Sequence, residues 1–567
     1  MIRRFFGYLS QEVRGLHAAA YILAGSALLS SLLALARDRL LAHQFGAGTT
    51  LDIYYAAFRV PDLIFVALGA LVSVYVLIPE LARRGGGEQQ RYLDTILVGF
   101  SLVAMGIALI TAILAPFVLA KLFPALMRLH GDELVSLTRI LLAQPVLLGI
   151  SNVLAAVTQS RGRYTLYAMS PLLYNLGIIG GVFFLYPEWG MMGLGLGVVA
   201  GAFLHAAIQL PSIWRDGFVR HVPHLWDMRS LFSTASLSLP RALTLSMSQL
   251  GFLQLLGLAS VLAPGSIAVF MFAYNLQAVP LAIVGASYSV AAFPTLAAAL
   301  SNGDREQFLD SVALAARYVF FWSMPIIALV IILRAYIVRV VLGTGAFDWT
   351  DTRLTAAVFA LFALSLVAQG LVLLLVRAYY AAGKTLVPFV VAAGSALGMV
   401  LIALHILESF KNPLLFWATQ TLLRVQDVPG SRVLALGIAF SVASILGAMA
   451  LAWHFESIYR GFFSRVRRTF FESTGAAAMA GLAAYGMLVV VGPIDVGSTT
   501  GSAFFKGFAG ALAGSIVAGF SYFALGSKEF AELVDTLRSR IPQMPLPFAR
   551  GARVVVAGSA EDQAQTQ

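Results

Sequence analysis

Apolar runs long enough to cross a bilayer recur along almost the whole chain, and that repetition excludes most other folds. A spanning helix needs about 20 predominantly apolar residues. Windows of this kind fall near residues 18–45, 51–82, 92–120, 133–159, 165–186 and 190–213. A second set lies near 232–262, 266–300, 308–342, 352–381, 386–408 and 433–456, with two more near 470–492 and 503–526. In hydrocarbon every backbone polar group has to be satisfied within its own segment, so runs of this length form helices. The expectation is an all-α, polytopic membrane protein of about fourteen transmembrane helices. Composition agrees, since 59% of the residues are hydrophobic and 11% charged, where soluble domains carry about 25% charge.

The net charge of +11 does not indicate nucleic acid, because the basic residues sit in short loops between apolar runs, as in proteins that meet anionic lipid. Arg3/Arg4/Arg14, Arg83/Arg84/Arg91, Arg161/Arg163, Arg215/Arg220/Arg229, Arg305, Lys384, Arg460/Arg465/Arg467/Arg468 and Lys528/Arg538/Arg540 fall on alternate connections. The intervening FGAGTT, YPEWG, LAPGS and GPIDVGSTTGS contain no lysine or arginine, with Lys121/Arg128 and Lys411/Arg424/Arg432 as exceptions. Basic loops stay inside, which predicts that both termini are cytoplasmic. The first 17 residues, with Ile2, Phe5, Phe6, Leu9 and Val13 on one face, read as an interfacial helix and not a cleaved signal. Residues 409–432 suggest a second interfacial helix on the outer side, and the chain from Pro542 reads as a flexible tail. No cysteine is present, so disulfides, thiolate chemistry and cysteine metal sites drop out.

The two sets of six resemble each other. GAGTTLDIYYAAFRVP, entering the second helix, is echoed by LAPGSIAVFMFAYNLQAVP entering the eighth, with Pro61 and Pro280 inside and Pro79 and Pro294 near the ends. An even number of helices per unit makes the units parallel, with a site expected between them near the midplane. The expected organisation is 1–17 interfacial helix, 18–220 N-terminal six-helix lobe, 231–458 C-terminal six-helix lobe in pseudo-twofold relation to it, 468–527 two further transmembrane helices, and 528–567 cytoplasmic tail.

Ionisable groups inside these runs carry the functional reading. Arg37, Arg59, Arg139, Arg241, Arg317 and Arg377 fall within spans or near their ends, against only Asp38, Asp52, Asp62 and Asp310. Six lipid-facing arginines would cost roughly 15–20 kcal/mol, comparable to or larger than the stability of an ordinary domain. They require water, an acid or a ligand. The guanidinium excess points to an anionic ligand, and the planar fork of arginine suits phosphate oxygens. Arg59 and Asp62, three apart, can satisfy each other. Adjacent Arg37 and Asp38 point about 100° apart and are expected not to pair. Asp52 follows Thr49 at capping-box spacing, so a cap is as good a reading as a ligand contact. Arg139 and Arg317 are read as snorkelling to an interface. Arg241 follows Pro240 early in the seventh helix, and Arg377 lies close to the inner surface. His221 and His224 read as solvated, and His205 and His405 as hydrogen-bonded core. No nucleophile–base constellation, phosphate loop or metal motif stands out, so no enzyme activity, cofactor or metal is expected. The residues describe a transporter for a bulky anion.

SSLLALARDRLLAHQFGAGTTLDIYYAAFRVPDL, FAYNLQAVPLAIVGASYSVAAFPTL and GTGAFDWTDTRLTAAVFALFALSLVAQGLVLLLVRAYYAAGKT resemble the MviN/MurJ lipid II flippases of the multidrug/oligosaccharidyl-lipid/polysaccharide exporter superfamily, over residues 15–530. The resemblance implies an alternating-access bundle in the bacterial inner membrane, with the two last helices forming a lipid-facing groove. It would move undecaprenyl-diphosphate-linked peptidoglycan precursor outward through a cationic central cavity. Membrane lipids and either a coupled cation or the membrane potential are the further implied partners. By position, Arg37 and Asp38 match the family's arginine–aspartate of the first helix, and Asp52 its acid at the start of the second. Ser31, Val66 and Ala70 depart from the family's arginine, arginine and glutamate, and Asn275 stands where some members are basic. The compensating charge would come from Arg59, Arg241 or Arg377. The substrate-binding set is therefore Arg37, Asp38, Asp52, Arg59, Arg241, Asn275 and Arg377. The alternatives are a flippase for another lipid-linked oligosaccharide, such as O-antigen or exopolysaccharide units, and a non-transporting envelope-assembly scaffold.

Overall fold

The computed structural model describes residues 16–215 and 227–540. The interfacial segment 1–17 lies almost wholly outside them, as do His221, His224 and the tail from Pro542. Within them the chain is helical: α1 Leu16–Phe45, α2 Thr49–Leu71, α3 Val74–Ala82, α4 Gly86–Leu122, α5 Pro124–Leu141, α6 Ala143–Ser160, α7 Tyr164–Gly180, α8 Tyr186–Ala207 and α9 Leu210–Arg215. There follow α10 Met228–Ala259, α11 Ser266–Leu281, α12 Ser287–Ser301, α13 Arg305–Val341, α14 Trp349–Ala363, α15 Leu366–Ala381, α16 Leu386–Ser409, α17 Pro413–Leu423, α18 Leu434–Ile458, α19 Phe462–Val491, α20 Thr500–Ala524 and α21 Lys528–Arg540.

Among the described residues eleven helical stretches are long and apolar enough to span a bilayer, and α14 with α15, bent by 45°, make a twelfth. One stretch, Tyr164–Trp214, is 51 residues long and doubles back at Gly190, whose φ of 55° breaks the helix. Counting its arms separately and adding α1 gives the fourteen passes expected. The arms meet through glycine: a Cβ on Gly177 would lie 2.2 Å from the Gly201 Cα, and one on Gly181 2.7 Å from the Gly197 Cα. As one number rises by four the other falls by four, the register of an antiparallel pair whose backbones touch.

The expected second and eighth passes begin alike, after Gly48 and after Gly265. Each is interrupted further along, the second at Val72–Ser73 between α2 and α3 and the eighth by a π-turn at Ala282–Ala286 that follows Pro280. Proline removes a backbone donor, and a local change of helix type absorbs the defect.

The largest core lies along the seam between the two sets of six. It brings Tyr54, Tyr55 and Phe58 of α2 together with Phe252 of α10, Phe270 and Phe272 of α11, Phe362 of α14 and Phe440 of α18, all buried. Phe252 is the hub, with ring centroids 4.5 Å from Tyr274 and 6.4 Å from Phe440. The helix α10 straddles the seam, packing on α2 and α4 as well as on α16. Near its start Thr234 bonds the Tyr92 hydroxyl of α4 at 2.9 Å, and Leu231 fills the space that Gly99 leaves open. The α19–α20 pair packs on α13 and turns Phe471, Leu482, Val489, Phe505, Ile516 and Phe520 outward. In water such a surface would be unstable; it is the face of a helix pair in lipid. The amphipathic α21 folds back under this pair, where buried Glu529 accepts from the Thr469 hydroxyl at 2.9 Å and lies 3.3 Å from Arg317 Nε.

Candidate functional site

Arg37 and Asp38 do pair, contrary to the expectation from their Cβ directions. The Arg37 side chain curls back along α1, and its Nε and Nη2 donate to Asp38 Oδ1 at 3.0 and 2.8 Å. Four side-chain torsions let the guanidinium reach a neighbour that the first bond points away from. Nη1 donates to Asn175 Oδ1 on α7 at 3.1 Å, and the second Asp38 oxygen accepts from Asn275 Nδ2 on α11 at 3.0 Å. The chain Asn175–Arg37–Asp38–Asn275 thus crosses from the first lobe to the second with its central carboxylate 4% exposed.

A second pair lies nearby on α2. Arg59 Nη2 meets Asp62 Oδ2 at 2.9 Å, the i,i+3 partnership expected from spacing, while Nε donates to the Tyr55 carbonyl and the guanidinium sits 5.8 Å from the Phe252 ring centre. Gln144 of α6 hydrogen-bonds Asp62. Tyr54 lies within the electrostatic reach of both pairs, and the Tyr55 hydroxyl is buried without a partner. Arg37, expected to face an open chamber, is therefore held by a carboxylate, as is Arg59, whose pairing with Asp62 the spacing predicts. The Arg37 and Asp62 side chains stay 20% and 28% exposed, so the seam keeps some space around them.

The remaining candidates lie elsewhere. Arg377 of α15 bonds the Ser289 hydroxyl of α12 within the second lobe, and Arg241 is half-buried on α10. Arg139 donates to the Ala112 carbonyl of α4 at 3.0 Å. Ser31 bonds its own helix at the Ala27 carbonyl, and Ala70 is buried. His205 is hydrogen-bonded core, 2.7 Å from the Ser151 hydroxyl.

Asp52 does not cap its own helix or face the Arg37 cluster. Its carboxylate takes the backbone N–H groups of Gly265 and Ala268 at 2.6 and 2.8 Å, capping α11 from the other lobe. A carboxylate there satisfies orphan donors and meets the positive end of the helix dipole. Two further ties share this rim. Asp351 of α14 accepts from the Ala47 N–H at 2.9 Å, and Arg39 of α1 donates to the carbonyls of Val340 and Val341 at the C-terminus of α13. The loops interlock without side chains, since a Cβ on Gly265 would lie 1.9 Å from the Ala47 carbonyl oxygen and one on Gly345 2.3 Å from that of His43. Asn175, Gln144, Asp351 and Arg39 all escaped sequence reasoning. Each finds its partner on a distant stretch of chain, so local spacing carries no signal for it.

The family described as "Lipid II flippase MurJ" matches this chain over residues 41–502. The chain belongs to this family. Among MurJ relatives, the probable lipid II flippase of Thermotoga maritima is 27% identical over 368 residues, covering 64% of this chain and 73% of that protein. The lipid II flippase of Burkholderia cenocepacia is 24% identical over 397 residues, 67% of this chain and 76% of that one. In three dimensions the chain is similar to lipid II flippase MurJ in an inward closed conformation, with a TM-score of 0.67 and 20% identity over 89% of this chain and 99% of that one. An inward-facing multidrug resistance MATE transporter of the MOP superfamily follows at 0.60 and 15%, over 78% and 99%. The fold is that of the MurJ and MATE transporters, and the chain is a multi-pass membrane protein.

Proposed function

We propose that this MurJ-family chain is a flippase that carries lipid II, an undecaprenyl-diphosphate-linked peptidoglycan precursor, from the inner to the outer leaflet of the bacterial inner membrane. A diphosphate-sugar headgroup cannot enter hydrocarbon unaided, because desolvating its charge costs tens of kcal/mol by a Born estimate. The observation that carries the reading is the Arg37–Asp38–Asn275 chain, a guanidinium held at the lobe seam by a carboxylate that the opposite lobe also holds. Parting the lobes breaks the Asp38–Asn275 bond and opens the seam to water and headgroup. The Arg37 fork then exchanges Asp38 Oδ1 for phosphate oxygens while the entering water solvates the freed carboxylate, so neither charge is left alone in a dry site. Arg59 lines the same seam, and Arg241 and Arg377, which lie outside it, serve the approach to it. Lobes 18–220 and 231–458 rock about the rim tied by Asp52, Asp351 and Arg39, while 468–527 shelters the polyprenyl tail. The basic loops and both termini face the cytoplasm, and the membrane potential, worth about 2.3 kcal/mol per charge per 100 mV, or a coupled cation resets the empty carrier.

A second reading, transport of a different lipid-linked oligosaccharide, is favoured by Ser31, Val66 and Ala70, where the first lobe offers no charge. Depletion of the protein with leaflet-specific labelling of lipid II separates the two. Loss of outer-leaflet lipid II, restored by the native chain and not by Arg37→Ala, is the expected result. Unchanged outer-leaflet lipid II rejects the peptidoglycan substrate.

A further inference from the structure

The basic cluster that breaks the charge alternation, Lys411/Arg424/Arg432, surrounds α17 at the same end of the bundle as the rim. Lys411 is used up by Glu408 at 2.7 Å, but Arg424 is not used in this way. It terminates α17 with φ 60° and ψ 46°, and among the described residues it is the sole non-glycine at positive φ. A left-handed conformation strains any residue with a Cβ, and such strain persists where the surroundings enforce it, often at functional positions. Here the enforcement is visible. Arg353 donates to the Arg424 carbonyl at 2.7 Å and is itself clamped by both oxygens of Asp427 at 2.7 and 2.6 Å. The nearby carboxylate is thereby spent on Arg353.

The guanidinium displayed by this strained turn repels a second one, that of Arg334 on α13. Arg334 is half-buried, donating to the Ile331 carbonyl at 2.7 Å and reaching toward the Leu423 carbonyl at 3.4 Å, and no carboxylate acts on it. It precedes the last residue of α13 by two helical turns, about 10 Å at 1.5 Å per residue, the depth of a headgroup layer. The outward face of α17 carries Leu414, Leu415, Trp417 and Leu422, each at least half exposed, while Phe416 and Leu423 pack inward on the core. A helix apolar on both faces and bearing an exposed tryptophan lies in the membrane interface.

We propose that Arg334 and Arg424 form a binding site for the phosphate of an anionic glycerophospholipid in the leaflet against which α17 lies, with the acyl chains over Leu415, Trp417 and Leu422. Arg334 reaches the carbonyl of Leu423, the residue before Arg424, so one phosphate at this turn relieves the repulsion of the two guanidinium groups, and their forks match its oxygens. The site is separate from the lobe seam and stands whatever the carrier transports. Native mass spectrometry of the full chain in detergent, incubated with phosphatidylglycerol, phosphatidylcholine or undecaprenyl diphosphate, tests it. Arg424→Gly keeps the left-handed turn and removes the charge, and Arg334→Gln removes the second fork while leaving the Arg353–Arg424 bond that enforces the turn. The native chain is expected to retain phosphatidylglycerol over phosphatidylcholine, and each variant to lower that retention roughly tenfold, the loss of one charge-assisted bond, at an unchanged melting temperature. Equal retention of the two phospholipids by the native chain overturns the proposal, as does native-like retention of phosphatidylglycerol by both variants. A loss confined to undecaprenyl diphosphate overturns it too, since the site would then belong to the transported lipid.

Discussion

The Asn275 amide of the second lobe donates to Asp38 of the first, and the same carboxylate holds Arg37. Asp38 therefore supports a buried guanidinium and ties two halves of the molecule at once. Asp38→Ala leaves Arg37 with Asn175 alone and is expected to destabilise the protein by about 3–5 kcal/mol, the usual result of unpairing a buried charge. Asn275→Ala removes one hydrogen bond to a charged acceptor, about 1.5–3 kcal/mol. Melting in detergent and outer-leaflet lipid II should separate the two: Asp38→Ala lowers both, whereas Asn275→Ala weakens the lobe contact and leaves the ion pair. Equal effects on stability would show that Asp38 does not carry Arg37.

At the rim, Asp52→Asn keeps shape but replaces a carboxylate that accepts two amide donors with a group having one acceptor oxygen and an NH2 that faces a donor. This end of the seam is expected to open more often. Because the chain has no cysteine, a single Ala263→Cys reports access directly. A membrane-impermeant maleimide should label it several-fold faster in the Asp52→Asn background, and an unchanged rate would separate Asp52 from the closure.

The glycine contacts between α7 and α8 allow no side chain. Gly201→Ala would drive a Cβ to 2.5 Å from the Tyr174 carbonyl oxygen, backbone that cannot swing aside, whereas Gly106 has nothing within 4 Å. Gly201→Ala is expected to cost about 1–3 kcal/mol by overpacking. Gly106→Ala should be neutral or slightly stabilising, as expected in a helix interior. Comparative melting curves check both.

Arg353 holds the Asp427 carboxyl down at about 2, from an ordinary 3.8. A carboxyl whose pKa is depressed on folding adds stability above its unfolded value, and loses that contribution as pH falls through the folded one. The melting difference between the native chain and Arg353→Ala should therefore be constant from neutral pH down to about pH 4 and shrink toward pH 2. The melting difference itself is small because Asp427 is exposed, and raised salt should reduce it. A difference that persists at pH 2 would mean that Arg353 acts through the Arg424 carbonyl alone.

Helix number and order were readable because each pass is a long apolar run whose ends carry glycine, proline or charge. The Arg59–Asp62 pair was equally plain, since both residues lie on one helix at contact spacing. Asp52 shows where such reading stops. Its spacing from Thr49 suggested a local cap, yet its partners are more than 200 residues away at Gly265 and Ala268. Arg37 shows a second limit, because Cβ direction governs short side chains and a long flexible one can turn back on its neighbour. The Arg37–Asp38 pairing depends on side-chain torsions, which a linear pattern does not record.

Asp52, Asp351 and Arg39 all fasten the rim to main-chain groups, at Gly265, Ala268, Ala47, Val340 and Val341. Replacing Ala47, Ala268, Val340 or Val341 by another small non-proline residue leaves its amide or carbonyl where it was, whereas Gly265 has no room for a Cβ. Mutational drift can therefore retune the firmness of this end through three side chains and one glycine, and no new side chain at the four tolerant partners can restore a lost tie.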